Sequence, residues 1–103
     1  MKKPTVGEVY EALRLVEDPE LYMSILDLGL VYRVAVSPEG TVEVDFTVTY
    51  PGCPAAEVIQ YDIVNEVKTR TGAPEVEARL VMKPAWRPDR MTEEARLVLG
   101  YPI

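Results

Sequence analysis

Residues 42–54 read VEVDFTVTYPGCP and set out a strand, a turn and a helix start in immediate succession. Every second residue of the first eight is apolar, a period of two that is typical of a strand with one buried face. The strand pattern ends in a proline–glycine turn, and Pro54 suits the first position of a helix, with Cys53 as its N-cap. The stretch therefore predicts that Cys53 is exposed where a sheet passes into a helix.

Outward from this stretch, two further segments show strand alternation. Residues 30–36 precede it across the turn SPEG, and residues 76–82 follow a helical pattern that ends near Thr71. A strand–helix–strand crossover makes the strands on either side of the helix parallel. Helical spacing behind Thr5 and Thr92, two N-cap residues, indicates a first and a last helix. The sequence predicts an α+β domain of two layers, with helices packed on one face of a three-stranded mixed sheet, in the order α-β-β-α-β-α.

Composition limits the class of protein. A chain of 103 residues is long enough for one domain, residues 1–103, with its own core. A net charge of −6 without a basic stripe argues against nucleic-acid binding. The absence of a long apolar run and of a signal-peptide pattern argues against a membrane. One cysteine without an export signal suggests the cytoplasm.

The chain has no histidine, which removes the common catalytic chemistries. Ser-His-Asp and Cys-His catalysis both need an imidazole, as do most zinc sites. No phosphate-binding or dinucleotide-binding glycine motif is present. A thiolate at a helix N-terminus gains only ~0.3–1 kcal/mol from the helix dipole, so the turn makes Cys53 available rather than strongly activated.

Three separated segments carry a family resemblance. They are DPEL at 18–21 with SI-x-DLGLV at 24–31, then T-x-PGCP at 49–54, then P-x-W at 84–86 with MT at 91–92. In this order and spacing they resemble the SufT/PaaD-type iron–sulfur cluster assembly domain family, which includes the cytosolic iron–sulfur targeting factor of eukaryotes. The resemblance covers nearly the whole chain. It implies a non-enzymatic assembly or targeting factor that matures iron–sulfur proteins, with scaffold, carrier or client proteins as partners.

The resemblance also assigns residues. The family's cysteine corresponds to Cys53, its acidic motif to Asp18 and Glu20, and Asp27 falls at a position that is often acidic or polar. Tyr50 departs from the family, which often has a small hydroxyl residue there. The chain also lacks the fused P-loop ATPase domain of some relatives and the cysteine-rich tail of fuller-length PaaD proteins, which favours the general assembly role.

A single cysteine restricts what cofactor the chain can hold. Iron–sulfur clusters normally need about four thiolate-type ligands, and one chain supplies one. No tightly bound cofactor is therefore expected. Either a homodimer shares a cluster with outside ligands, or Cys53 contacts iron, a partner's cluster or a persulfide transiently, and brief contact is the favoured interpretation.

The supporting residues each have a structural and a functional interpretation. Asp18 and Glu20 either cap a short helix or provide a partner surface or second metal ligand. Asp27 is expected to stabilise its turn, and Thr49 either hydrogen-bonds in the Cys53 loop or ends its strand. Trp86 is either a partner anchor or a cover over one edge of the core.

Three functional hypotheses follow from these features. The first is the iron–sulfur assembly factor. The second is an enzyme with Cys53 as thiol nucleophile, which the lack of histidine weakens. The third is a binding module that works through its wet sheet face or its Trp86 loop, as a PaaD-like accessory of a multicomponent phenylacetate-type oxygenase.

Overall fold

The computed structural model describes residues 3–100 and contains three α-helices and three strands. In chain order they are α1 (Val6–Leu13), β1 (Val31–Val36), β2 (Val42–Phe46), α2 (Ala55–Thr71), β3 (Val76–Leu80) and α3 (Glu93–Leu99), with a 3₁₀ turn at Pro88–Arg90 before α3. This order confirms the α-β-β-α-β-α prediction. None of the helices in this described part is long and apolar enough to cross a bilayer.

The three strands form one mixed sheet in the order β1-β2-β3. β1 runs antiparallel to β2, and β2 runs parallel to β3. Val44, in the middle of the central strand, lies opposite Val34 on one side and Ala78 on the other. The parallel pairing of β2 and β3 follows from the crossover through α2, as the sequence pattern predicted.

The core lies on one face of this sheet. Along β2 the buried and half-buried residues alternate, so that Val42, Val44 and Phe46 point into the core and are fully buried. Helices α1 and α2 contribute apolar residues spaced three or four apart, the spacing that places them on one helical face. Their fully buried members are Val9, Leu13, Ile59, Ile63 and Val67.

The opposite face of the sheet is polar and carries a charged quartet, Arg33, Glu43, Asp45 and Arg79. Arg33 lies 3.2 Å from Glu43 and 3.7 Å from Asp45. Arg79 lies 2.9 Å from Asp45 and 3.7 Å from Glu43. Each arginine thus bridges both acids of the central strand, and the prediction of a wet outer face is confirmed.

Several element boundaries differ from the sequence-based expectation. β2 ends at Phe46 and β3 at Leu80, each earlier than the alternation of apolar residues predicts. α1 ends at Leu13 rather than continuing toward Pro19, because the chain tightens into i to i−3 hydrogen bonds at Leu15 and Val16. Val16 is buried although it is not helical, so the spacing of apolar residues wrongly predicted that the helix includes it. No helix opens at Asp18, since Asp18 closes a turn instead, with Tyr22 in the left-handed region at φ 58°.

Candidate cysteine site

The turn that carries Cys53 is built by its local sequence. Cys53 N–H donates to the carbonyl oxygen of Tyr50 at 3.3 Å, which closes a four-residue turn. Pro51 occupies the second position, and Gly52 the third with φ 77°, the arrangement of a type II turn. A residue with a side chain rarely adopts that φ, so the glycine is required here. The turn brings the side chains of Tyr50 and Cys53 to the same end of α2.

The expectation of an exposed cysteine is wrong, because Cys53 is only 5% exposed. Helix α2 begins at Ala55 with Pro54 as N-cap, so Cys53 precedes the cap rather than forming it. The carbonyl of Cys53 still accepts from Ala56 N–H at 3.2 Å, which ties the residue into the helix start. That placement turns the side chain toward the core cluster, of which Cys53 is a member.

The cysteine is nevertheless not enclosed by hydrocarbon alone. Its Sγ donates to Glu20 Oε1 at 3.5 Å, across 33 positions of sequence. The Tyr50 hydroxyl donates to both oxygens of the same carboxylate, at 3.3 Å to Oε1 and 3.1 Å to Oε2. A thiol, a carboxylate and a phenol therefore meet at one point near the surface.

Electrostatics keeps the phenol of this cluster protonated. Hydrogen bonding to Cys53 and then to Glu20 raises the pKa of Tyr50 from 10.0 to about 12. A tyrosinate at this position would lie beside a carboxylate, which disfavours the second negative charge. Tyr50 is therefore a hydrogen-bond donor at neutral pH.

Asp18 shapes the turn that presents Glu20. Its Oδ1 accepts from the backbone N–H groups of Glu20 at 2.7 Å and Leu21 at 3.1 Å. Its backbone accepts from Tyr22 at 2.8 Å, and the residue is only 1% exposed. The capping role predicted for Asp18 thus applies to a turn rather than to a helix. Its buried Oδ2 has no hydrogen-bond partner within the described residues.

The other predicted residues lie in a different set of contacts. The carbonyl of Asp27 accepts from Thr92 N–H at 2.9 Å and so joins its turn to the start of α3. The Asp27 side chain, predicted to stabilise the turn, makes no hydrogen bond within residues 3–100, whereas the Ser24 hydroxyl accepts from Leu26 N–H at 3.2 Å. Trp86 Nε1 donates to the carbonyl of Leu28 at 2.7 Å, and the ring packs half-buried against the core. The hydroxyl of the half-buried Thr49 makes no hydrogen bond within residues 3–100.

In the sequence, Tyr50 is distinctive only as a departure from the family pattern. Its place in the Cys53 site could have been predicted from the Pro-Gly pair between Tyr50 and Cys53, because such a pair predicts a turn that brings the residues on either side together. A separate groove of about 340 Å³ contains none of the predicted site residues. It is lined by Glu8, Glu11, Ala12, Leu15 and Arg70.

The donor set of the site is small. In the part of the chain that the structure describes, no three cysteine or carboxylate side chains converge in an arrangement that could hold a metal ion. Cys53 and Glu20 together offer one sulfur and one carboxylate. An iron centre bound here would therefore take its remaining ligands from another molecule.

Comparison with known proteins gives consistent matches. A family model described as iron–sulfur cluster assembly protein matches residues 7–80. The Fe-S protein maturation auxiliary factor SufT of Staphylococcus aureus (strain USA300) is 41% identical over 90 residues, covering 84% of this chain and 98% of that protein. A protein of Escherichia coli (strain K12) that is named as one component of a 1,2-phenylacetyl-CoA epoxidase is 40% identical over 94 residues, covering 90% of this chain and 56% of that protein.

A solved structure matches over a similar extent. A domain of unknown function from Bacillus anthracis, determined by crystallography, is 34% identical and superposes with a TM-score of 0.88. The match covers 93% of this chain and 92% of that one. A related protein therefore adopts the same fold.

Proposed function

Because the chain belongs to the iron–sulfur cluster assembly protein family, we propose that it assists the assembly of iron–sulfur clusters or their delivery to client proteins. The relative named a maturation auxiliary factor supports this role. The partners are scaffold, carrier or client iron–sulfur proteins, and the compartment is the cytoplasm. The role is that of a non-enzymatic factor, in keeping with a chain that has no histidine.

The pairing of Cys53 with Glu20 is the observation that carries the proposal. A thiolate is the preferred ligand of iron–sulfur centres, and the adjacent carboxylate is a second iron ligand. When the Cys53 sulfur replaces a thiolate of the donor protein on the iron, the thiol proton passes through solvent to that departing thiolate, and Glu20, which accepts from the thiol at 3.5 Å, stays a carboxylate. The cluster is cargo in this scheme, and its charge and oxidation state stay unchanged.

The burial of Cys53 favours brief contact over storage. Cys53 is only 5% exposed and its sulfur is hydrogen-bonded to Glu20, so the sulfur meets an iron centre only after the Glu20 side chain moves. One thiol and one carboxylate cannot complete the coordination of a cluster without outside ligands. Transfer within a transient complex fits both facts, whereas a homodimer that shares one cluster is the alternative arrangement.

The test is the substitution Cys53→Ser, with Tyr61→Phe on exposed α2 as the matched control. We expect Cys53→Ser to remain folded at the growth temperature and to lose support of client iron–sulfur enzymes in cells, while Tyr61→Phe retains it. Anaerobic purification with iron and sulfide analysis of each variant identifies what the thiol binds. Normal client maturation by Cys53→Ser would contradict the proposal.

The E. coli relative favours a second candidate, an accessory role in a multicomponent oxygenase. The chain spans about half the length of that relative, so the likeness extends to one part of it. If this role is correct, the protein co-purifies stably with an oxygenase complex, and the substitution Cys53→Ser does not disrupt that association. If Cys53→Ser loses the association, that result favours the cluster-delivery role over the accessory role.

A further inference from the structure

The Cys53 sulfur is hydrogen-bonded to a group at the protein surface, the carboxylate of Glu20. Pro51 and Gly52 of the turn are exposed, as are Glu20 and Tyr50, the latter by 44%. Cys53 as a whole residue is nevertheless only 5% exposed. Rotation of exposed side chains disturbs no core packing. Access to the sulfur can therefore change while the fold stays the same.

The hydrogen bonds specify which group holds this carboxylate in place. Glu20 accepts from Cys53 through Oε1 and from Tyr50 through both oxygens. Without the phenol, an exposed glutamate would be held only by a weak S–H donor. The hydroxyl of Tyr50 supplies the stronger donor, and a hydrogen bond to a carboxylate is charge-assisted.

Resting on the role proposed for Cys53, we propose that Tyr50 is a positioning residue that controls access to the thiol. Its hydroxyl latches the Glu20 carboxylate over the Cys53 sulfur, and an iron centre opens the latch by taking that carboxylate as a ligand. The family resemblance, with a small hydroxyl residue at this position, does not supply this contact. The latch is a property of the tyrosine in this chain.

The latch discriminates between kinds of reagent. An iron centre offers Glu20 a metal–oxygen bond in exchange for the phenol hydrogen bond. An uncharged electrophile forms no bond with the Glu20 carboxylate. It therefore reacts with Cys53 only when the hydrogen bond between Tyr50 and Glu20 breaks spontaneously. In the opening step the Glu20 carboxylate displaces a water or other exchangeable ligand from the iron, and that ligand leaves to solvent. Tyr50 keeps its proton, Cys53 keeps its thiol proton until its sulfur binds the iron, and no oxidation state changes.

The experiment measures alkylation of Cys53 by iodoacetamide, a neutral reagent, under native conditions. The chain has one cysteine, so each rate belongs to one sulfur. We expect Tyr50→Phe, which keeps the ring, to react about three- to tenfold faster than wild type, the factor expected from losing one net hydrogen bond. Tyr61→Phe, an exposed tyrosine on α2, is the matched control and reacts as wild type does. Equal rates of all variants in denaturant verify that the reagent itself does not discriminate.

A double-mutant cycle separates a latch from a general loosening of the turn. In a Glu20→Ala background the carboxylate is gone, so adding Tyr50→Phe changes the rate much less than it does in wild type, because only the interaction of Tyr50 with Cys53 remains to be lost. A wild-type or slower rate in Tyr50→Phe, or an undiminished effect in the Glu20→Ala background, overturns the proposal. Client maturation in Cys53→Ser tests the proposed function separately, because the alkylation rates do not depend on it.

Discussion

Trp86 Nε1 donates a 2.7 Å hydrogen bond to the carbonyl oxygen of Leu28, 58 positions earlier in the chain. Leu28 is fully buried, so this carbonyl has little access to water. Nearby, the Tyr32 hydroxyl donates to the carbonyl of Pro84 at 2.8 Å. Two side-chain bonds thus fasten the proline-flanked loop to the body of the domain, and Trp86 covers an edge of the core.

The substitution Trp86→Phe is expected to weaken the fold. It removes the indole donor and leaves the buried Leu28 carbonyl without its partner, a loss of about 1–3 kcal/mol in the free energy of unfolding. Urea denaturation measures this change. Client maturation stays at the wild-type level below the unfolding temperature. An unchanged urea midpoint combined with lost client binding would instead make Trp86 a partner anchor.

Two glycines with similar φ angles offer a matched pair. Gly29 has φ 72° and Gly52 has φ 77°, but a Cβ at Gly29 would overlap the backbone of Arg90, whereas a Cβ at Gly52 meets open space. Gly52→Ala therefore suffers only conformational strain of about 1–2 kcal/mol. Gly29→Ala adds a backbone clash and is expected to lower the free energy of unfolding well beyond that. Equal destabilisation of the two variants in urea would refute the close approach of Gly29 to Arg90.

Asp18 is expected to act on stability through its turn. Asp18→Ala removes the acceptor of two backbone N–H groups and should lower the free energy of unfolding by about 1–3 kcal/mol. Asp18→Asn keeps a carbonyl oxygen that can accept from Glu20 and Leu21, and is the conservative control. Thermal unfolding of both variants tests whether Asp18→Ala is the less stable of the two. A larger loss in Asp18→Asn than in Asp18→Ala would contradict the capping role.

The raised pKa of Tyr50 predicts how stability changes with pH. Folding favours the protonated phenol, so its contribution is fully present below pH 10 and is lost as the pH rises toward about 12. The stability difference between wild type and Tyr50→Phe should therefore shrink across this window. Spectrophotometric titration should find that one of the six tyrosines deprotonates late, and that Tyr50→Phe lacks this step. A stability difference that stays constant across the window would contradict the raised pKa.

The local features of the fold could be predicted from the sequence because their causes are local. Alternation along β2, the Thr5 and Thr92 caps and the glycine after α2 each act within a few residues. The end of α1 could not be predicted, since Val16 remains buried after the helix stops and the spacing of apolar residues records burial, not hydrogen bonding.

The burial of Cys53 escaped prediction for a different reason. Its sulfur is hydrogen-bonded to Glu20, which the sequence separates from it by 33 positions. Proline framing indicates where a turn lies, but the direction of a side chain leaving that turn depends on the packing around it. Glu20 and Cys53 could be proposed individually through the family resemblance, whereas their contact and the part taken by Tyr50 needed the three-dimensional structure.

The charged quartet on the outer face of the sheet contains two arginines and two acids, so it is neutral as a group. The whole excess of negative charge, −6, therefore belongs to the rest of the chain. Long-range attraction for a basic protein fades within about 8 Å at physiological ionic strength. A positively charged protein is therefore attracted by parts of the chain other than the quartet, and only once it is close to them.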